Sequence, residues 1–419
     1  MIPISPLLIV YLVVFLAGVG TEFLLTKMNV GHLRDHGHRV PDLFKGYIDG
    51  DKLTKIIDYT IENQRLEIFT SCLSSALFLL VILSGLLPWF VKLVEGSDFS
   101  VLGSGMVFFA TLAVAQSLFS LPFNYYKTFV IEQRYGFNTS TFRTWLTDIS
   151  KAVAVGTIIG AILLASILLL IEYGGGIWWL WAWLVFFGFQ LLLLVLYPTL
   201  IAPWFNKFLP LEDKILEEKV KEILRQGGLA VEGVFKMDAG KRSQHTNAYF
   251  TGLGRTKRIV LFDTLLISHS HEEIVAILAH EVGHWKKRHL LKNLLFVSLV
   301  SLLLFYTASR LLKWPTMYQT FGFDHGASYV GLFLVGVLWE AVGQFLKPIG
   351  SGLSRRFERE ADAYAAEVLQ HTADLARALK RLASDNLSNL YPHPLYAWFY
   401  YSHPPLSERI QRLEAWARH

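Results

Sequence analysis

Residues 152–172 read AVAVGTIIGAILLASILLLIE and, after YGGG, residues 177–202 read IWWLWAWLVFFGFQLLLLVLYPTLIA. The first run holds one charged residue, Glu172 at its end, and the second holds none. A helix needs about 20 mainly apolar residues to cross roughly 30 Å of hydrocarbon, so this pair predicts two membrane helices joined by a tight turn. Runs of similar length and polarity recur outward from it at approximately 3–25, 68–93, 101–123, 291–312 and 327–347. The run at 3–25 lacks a basic leader and a small-residue cleavage site, and reads as a helix rather than a signal peptide. The expected fold is therefore an all-α multi-pass membrane protein with seven transmembrane helices.

The composition agrees. Of 419 residues, 53% are hydrophobic and 17% charged, against about 25% charged in an average soluble chain, so much of the surface must face lipid. The net charge of +5 is scattered over several loops and forms no nucleic-acid stripe. The single cysteine, Cys72, forms no internal disulfide and, in an apolar run, reads as a small buried hydrophobe.

Basic residues set the orientation. The stretch 27–65 carries Lys27, Arg34, Arg39, Lys45, Lys52, Lys55 and Arg65, and 124–151 carries Lys127, Arg134, Arg143 and Lys151. The long polar stretch 203–290 and the tail after 350 are also basic. The alternate loops near 94–100, 173–176 and 313–326 hold only Lys313. The positive-inside rule then puts the N-terminus outside and both large polar regions in the cytoplasm. The chain divides into 1–202 (helices 1–5 with their loops), 203–290 (a polar loop), 291–349 (helices 6–7) and 350–419 (a polar tail). Neither polar region is long enough for a large core of its own, so they are expected to pack together against the membrane helices. The membrane is the inner membrane in a bacterium and the endoplasmic reticulum in a eukaryote; oligomeric state is not legible.

The chemistry sits in His280-Glu281-Val282-Gly283-His284. Histidines four apart share one helix face and can reach one metal, while the intervening glutamate can take a proton from a water beside it. Ser270 and Glu273 have capping-box spacing, and Lys286, Lys287 and Arg288 suit the C-terminal end. The apolar run 274–279 is too short to be an eighth span. A catalytic zinc, one per chain, needs a third protein ligand. His289 lies five residues past His284 and faces away on a continuous helix. Glu358 and Glu360, in SRRFEREAD at 354–362, are the better candidates, and spacing alone leaves the choice open. Glu358 and Asp362 share a face, so one can bind metal while the other orients a ligand histidine. Within the spans, Glu340 and Gln344 lie on one face, as groups lining a protein or water interior do.

HEVGH at 280–284, SRRFEREADAYA at 354–365, NAYFTG at 247–252, YSHPPLSERI at 401–410 and LPFNYYKTFVIEQRYGFN at 121–138 together resemble the type I CAAX prenyl protease family. The resemblance covers nearly the whole chain. It implies seven helices around a large internal chamber, with a cytoplasmic zincin-like region containing a small β-hairpin or sheet. It implies Glu358 as third zinc ligand, Asp362 and Arg409 as supports, and Glu281 as catalytic base. It implies His403 as an oxyanion donor, Asn247 beside the active site, and Ala248, Tyr249 and Phe250 as an edge strand against which substrate lies. Without the resemblance, His403 reads as a surface histidine before a Pro-Pro turn, and Ala248–Phe250 as an ordinary hairpin strand turning at Gly252 and Gly254. His245 either lines the cleft or solvates its loop. The implied reaction is removal of the last three residues after a prenylated cysteine, on peptide or protein substrates. Competing readings are a membrane quality-control zinc protease without prenyl specificity and a non-enzymatic seven-helix transporter or receptor. An intramembrane site-2-type protease is disfavoured, because the zinc motif lies in a polar loop.

Overall fold

The computed structural model describes residues 2, 4–229, 231–252, 257–324 and 326–416. Among them, seven helices are long and apolar enough to cross a membrane. Five precede the polar loop: α1 (Pro6–His36), α2 (Gly50–Leu83), α3 (Val101–Tyr126), α4 (Phe142–Tyr173) and α5 (Trp178–Leu196). Side-chain oxygens of Ser5, Asp49, Ser100 and Thr141 cap the first four, satisfying backbone donors that a helix start leaves free. Leu80, Leu118 and Ile158 point outward, more than half exposed, as a lipid-facing surface requires.

Cys72 corrects one expectation. It is exposed on α2: in a membrane helix an apolar setting is met by lipid as well as by protein.

The polar loop opens with β1 (Phe208–Pro210), α6 (Lys214–Gly227), β2 (Gly233–Met237), β3 (Ala248–Thr251) and β4 (Arg258–Phe262). The strands form one sheet in the order β1-β2-β4-β3, with β2 parallel to β4 and the other pairs antiparallel. β3 is thus an edge strand. Gly252 follows it at φ 92°, where glycine avoids the left-handed penalty; Gly254 lies outside the described residues.

Next come α7 (His271–Lys286), α8 (His289–Leu311) and α9 (Ser328–Leu369), then α10 (Ala373–Asp385), α11 (Pro394–Tyr400) and α12 (Leu406–Trp416). α9 has 42 residues, about 63 Å at 1.5 Å per residue. That is twice the hydrocarbon thickness, so the seventh span runs without a break into the polar region that holds Glu358. Within it, Gln344 reaches the Tyr400 hydroxyl of α11 at 3.4 Å.

Two large apolar cores result, beside a small third cluster of Met237, Ala239 and Val260 on the sheet. Tyr11, Phe108, Phe321 and Tyr329 centre the one among the membrane helices. The other joins both polar regions, from Leu216 and Ile259 to Ala365, Leu379 and Ile410, and includes Phe44 and Ile56 from the first loop and α2. The polar regions therefore share one core and hold α7 between α6, α9 and α10.

Candidate metal centre

α7 begins with the expected capping box: Ser270 Oγ accepts from Glu273 N while the Glu273 carboxylate accepts from Ser270 N. Arg381 of α10 reaches the same carboxylate at 3.2 Å and donates to Ser268 O, so the helix start is tied to α10. Close packing sets its distance from α9. A Cβ on Gly283 would lie 3.0 Å from both Cα and O of Ala361, so the two backbones touch.

That contact brings three candidate ligands together. Ligand atoms of His280, His284 and Glu358 lie within 4.8 Å of one another. The two Nε2 atoms are 3.2 Å apart; Glu358 Oε1 is 3.2 Å from His284 Nε2, and Oε2 is 3.4 Å from His280 Nε2. Glu358 is 4% exposed, and its Oε2 is buried without a hydrogen bond. The two carboxylate oxygens face one imidazole nitrogen each, and beside the Arg409 guanidinium, 3.5 Å from Oε2, a further cation between the three groups would offset the cost of burying that charge. Two imidazoles and one carboxylate are also the donor set of a catalytic zinc site, so the residues fit the metal. Glu360 does not join them; it pairs with Arg356, Lys292 and His289.

Each histidine is held from behind. Asp362 Oδ1 takes His280 Nδ1 at 2.8 Å, and Arg409 grips Asp362 through Nε and Nη2 at 2.9 and 2.6 Å. Arg409 Nη1 also stands 3.5 Å from Glu358 Oε2. Burial disfavours the His280 cation, but Asp362 and Glu358 outweigh it and push the imidazole up to about 9, so a metal must displace a firmly held proton.

His284 is backed differently. Its Nδ1 lies 3.0 Å from Nδ1 of His289, whose Nε2 lies 3.0 Å from Glu360 Oε2. With His284 Nε2 turned to the ligand group, its Nδ1–H donates to His289, and His289 Nε2–H donates to Glu360. The expectation for His289 rested on a continuous helix, and the helix is not continuous. It turns at Arg288, φ 58°, and α8 restarts with His289 buried and stacked on Phe357. The turn is a backbone event, and the HEVGHWKKRH spacing is its only trace in the sequence.

Glu281 lines the cleft with Asn247, Ala248 and Phe250. Burial raises its carboxyl above the usual range, against the lowering influence of His280 and His284. His403 Nε2 is 3.3 Å from Glu358 Oε1, with Ser402 Oγ at its Nδ1. Along β3 the alternation splits the residues: Ala248 and Phe250 line the cleft, whereas Tyr249 turns to Met237 and Phe262 on the other face, so only its backbone is near the site. Phe262 N donates to Asn247 O. In an antiparallel ladder the next outward-facing backbone groups are then those of Ala248 and Phe250. Asn247 Oδ1 accepts from Ala248 N. His245 is outside the site, stacked on Phe137 and bonded to Asn386 and Glu132.

Two family models match the chain: CAAX prenyl protease N-terminal, five membrane helices, over residues 29–207, and peptidase family M48 over residues 210–417. The chain is 34% identical to CAAX prenyl protease 1 homolog of Arabidopsis thaliana, over 90% of each chain. It is 33% identical to CAAX prenyl protease 1 of Saccharomyces cerevisiae, over 90% of this chain and 88% of that one. Its fold is similar to the crystal structure of S. mikatae Ste24p, with TM-score 0.92 and 31% identity, covering 98% of this chain and 100% of that one.

Proposed function

We propose, from the premise that this chain belongs to peptidase family M48 as a membrane zinc metalloprotease of the CAAX prenyl protease 1 type, that it removes the C-terminal tripeptide of prenylated CAAX proteins at a site open to the cytoplasm. The observation that carries the site is the convergence of His280, His284 and the unbonded, buried Glu358 Oε2. These three would hold one zinc per chain. Bound there, zinc supplies Lewis acidity to the scissile carbonyl and its attacking water.

Glu281 takes the proton of that water and later delivers it to the leaving amine. His403, and Asn247 through its side-chain amide, donate to the oxygen that gains charge in the tetrahedral state. Asp362 and Arg409 hold His280 in the tautomer that leaves Nε2 free. The substrate adds as a strand to β3, donating to Ala248 O and bonding to the Phe250 backbone, while the Ala248 N–H stays on Asn247 Oδ1; such backbone bonds give affinity with little sequence discrimination. Glu340 and Gln344 are in keeping with a polar chamber among the seven helices.

The test is cleavage of a farnesylated CAAX peptide beside its unprenylated twin by detergent-purified protein, with zinc per chain measured in the same sample. About one zinc, activity lost in Glu281→Ala and preference for the farnesylated peptide are expected. Equal cleavage of both peptides would move the reading to a general membrane protease, and neither zinc nor cleavage in folded protein would overturn it.

A further inference from the structure

The cleft has two unlike ends. One is aliphatic, walled by Leu265, Ile277, Leu375, Leu379 and Leu382; at the other stand Phe250, Trp285 and Leu290. The direction of β3 between them is marked at both ends. Just before the strand, Thr246 N donates to Asn386 Oδ1 at 3.0 Å, at the end of α10, the helix that supplies Leu375, Leu379 and Leu382. Near its finish, Phe250 packs on Trp285 with ring centroids 5.5 Å apart, in the last turn of α7. β3 therefore runs from the aliphatic end to the Trp285 end. A peptide added antiparallel to it has its C-terminus over the aliphatic pocket and its N-terminal side at Trp285 and Leu290.

A second cavity of about 270 Å³ opens there, sharing His284 and Leu290 with the cleft. It lies between α8 and α9, with Leu290, Asn293 and Phe296 on one wall and Gly350, Leu353, Ser354 and Phe357 on the other, so its surface is mainly but not wholly apolar. Both walls belong to helices that cross the membrane, so the groove leads from a metal ligand towards hydrocarbon depth. A Cβ on Gly350 would meet nothing within 4 Å, leaving that wall open.

We propose that the groove between α8 and α9 beside His284 holds the isoprenyl chain of the substrate cysteine, with the peptide antiparallel to β3 and the departing residues in the aliphatic pocket. The assignment rests on the prenyl-protease reading above. It follows from polarity: the residue whose carbonyl is cleaved lies on the N-terminal side of the scissile bond, and its side chain then has the groove beside it. An apolar chain gains by leaving water for such a surface, while the leucine and isoleucine side chains at the other end of the cleft suit aliphatic residues.

The test compares wild type with Gly350→Leu, which fills the groove, on the farnesylated peptide and its unprenylated twin. At retained zinc content, the variant should lower the farnesylated-to-unprenylated kcat/KM ratio at least tenfold, mainly through KM for the farnesylated peptide. In parallel, a peptide with a photoreactive prenyl analogue is bound to Glu281→Gln protein; cross-links are expected on 290–296 and 350–357. Wild-type preference for the farnesylated peptide with an unchanged ratio in Gly350→Leu, or cross-links only elsewhere, would overturn the groove assignment and leave the protease reading intact. No preference in wild type would remove the prenyl reading itself. If Gly350→Leu loses its zinc, the cross-link positions decide.

Discussion

At the scale of single residues, the site is held by what stands behind its ligands. Replacing His289 by Leu leaves His284 Nδ1–H without its acceptor, and zinc affinity should fall roughly 10–100-fold, as when such partners are lost elsewhere. His289→Asn places a carbonyl oxygen near the old Nδ1 and should recover most of it; equal loss in both variants would reduce His289 to packing against Phe357. Competition with a zinc chelator reads this directly. The same assay should depend on pH. The His280 pKa is raised above its ordinary 6.5 to about 9, so its proton stabilises the fold fully below 6.5 and stops doing so as pH climbs through 9. Zinc needs that nitrogen bare, so apparent affinity should rise by about tenfold per pH unit across this window. A flat profile would show that Asp362 and Glu358 do not hold the proton. For Glu281→Gln, zinc should stay while kcat drops by roughly 10²–10⁴ or more, the range for losing a general base.

At the scale of elements, the site depends on how closely α7 and α9 pack. Gly283 sits inside the motif for a reason unrelated to metal chemistry: its Cα faces the Ala361 backbone with no room for a methyl group. Gly283→Ala should push α7 and α9 apart by a few tenths of an ångström and loosen the fit of His280 and His284 to Glu358. We expect a cost of about 1–3 kcal/mol, typical of overpacking, and a drop in zinc affinity, whereas Ala at exposed Lys287 should do neither. Thermal unfolding with and without chelator separates the two effects; a Gly283→Ala protein with normal affinity would mean that the helices yield elsewhere.

For the whole molecule, the testable property is sidedness. The short loops carry few positive charges and the catalytic regions many, so the catalytic face should be cytoplasmic. In a Cys72→Ser background, a membrane-impermeant thiol reagent applied outside intact cells should label Ser97→Cys and spare Lys241→Cys. The reverse pattern would invert the topology. Both positions are exposed, so protection reports the membrane rather than burial.

The sequence by itself determined the seven spans, their orientation as an expectation, the α7 ligand pair and its capping box, because hydrophobic length, charge bias and helical spacing are local properties. The resemblance supplied Glu358 over Glu360; in the structure Glu358 turns its carboxylate to both imidazoles while Glu360 pairs with Arg356, Lys292 and His289. Tertiary structure alone decided the rest. The left-handed turn at Arg288 redirects His289 onto His284, β3 becomes an edge because β4 pairs with β2 on its far side, and the groove beside His284 is walled jointly by residues of α8 and α9 some sixty positions apart. None of these is legible in the chain, because each depends on where two remote backbones meet, and local spacing carries no information about that distance.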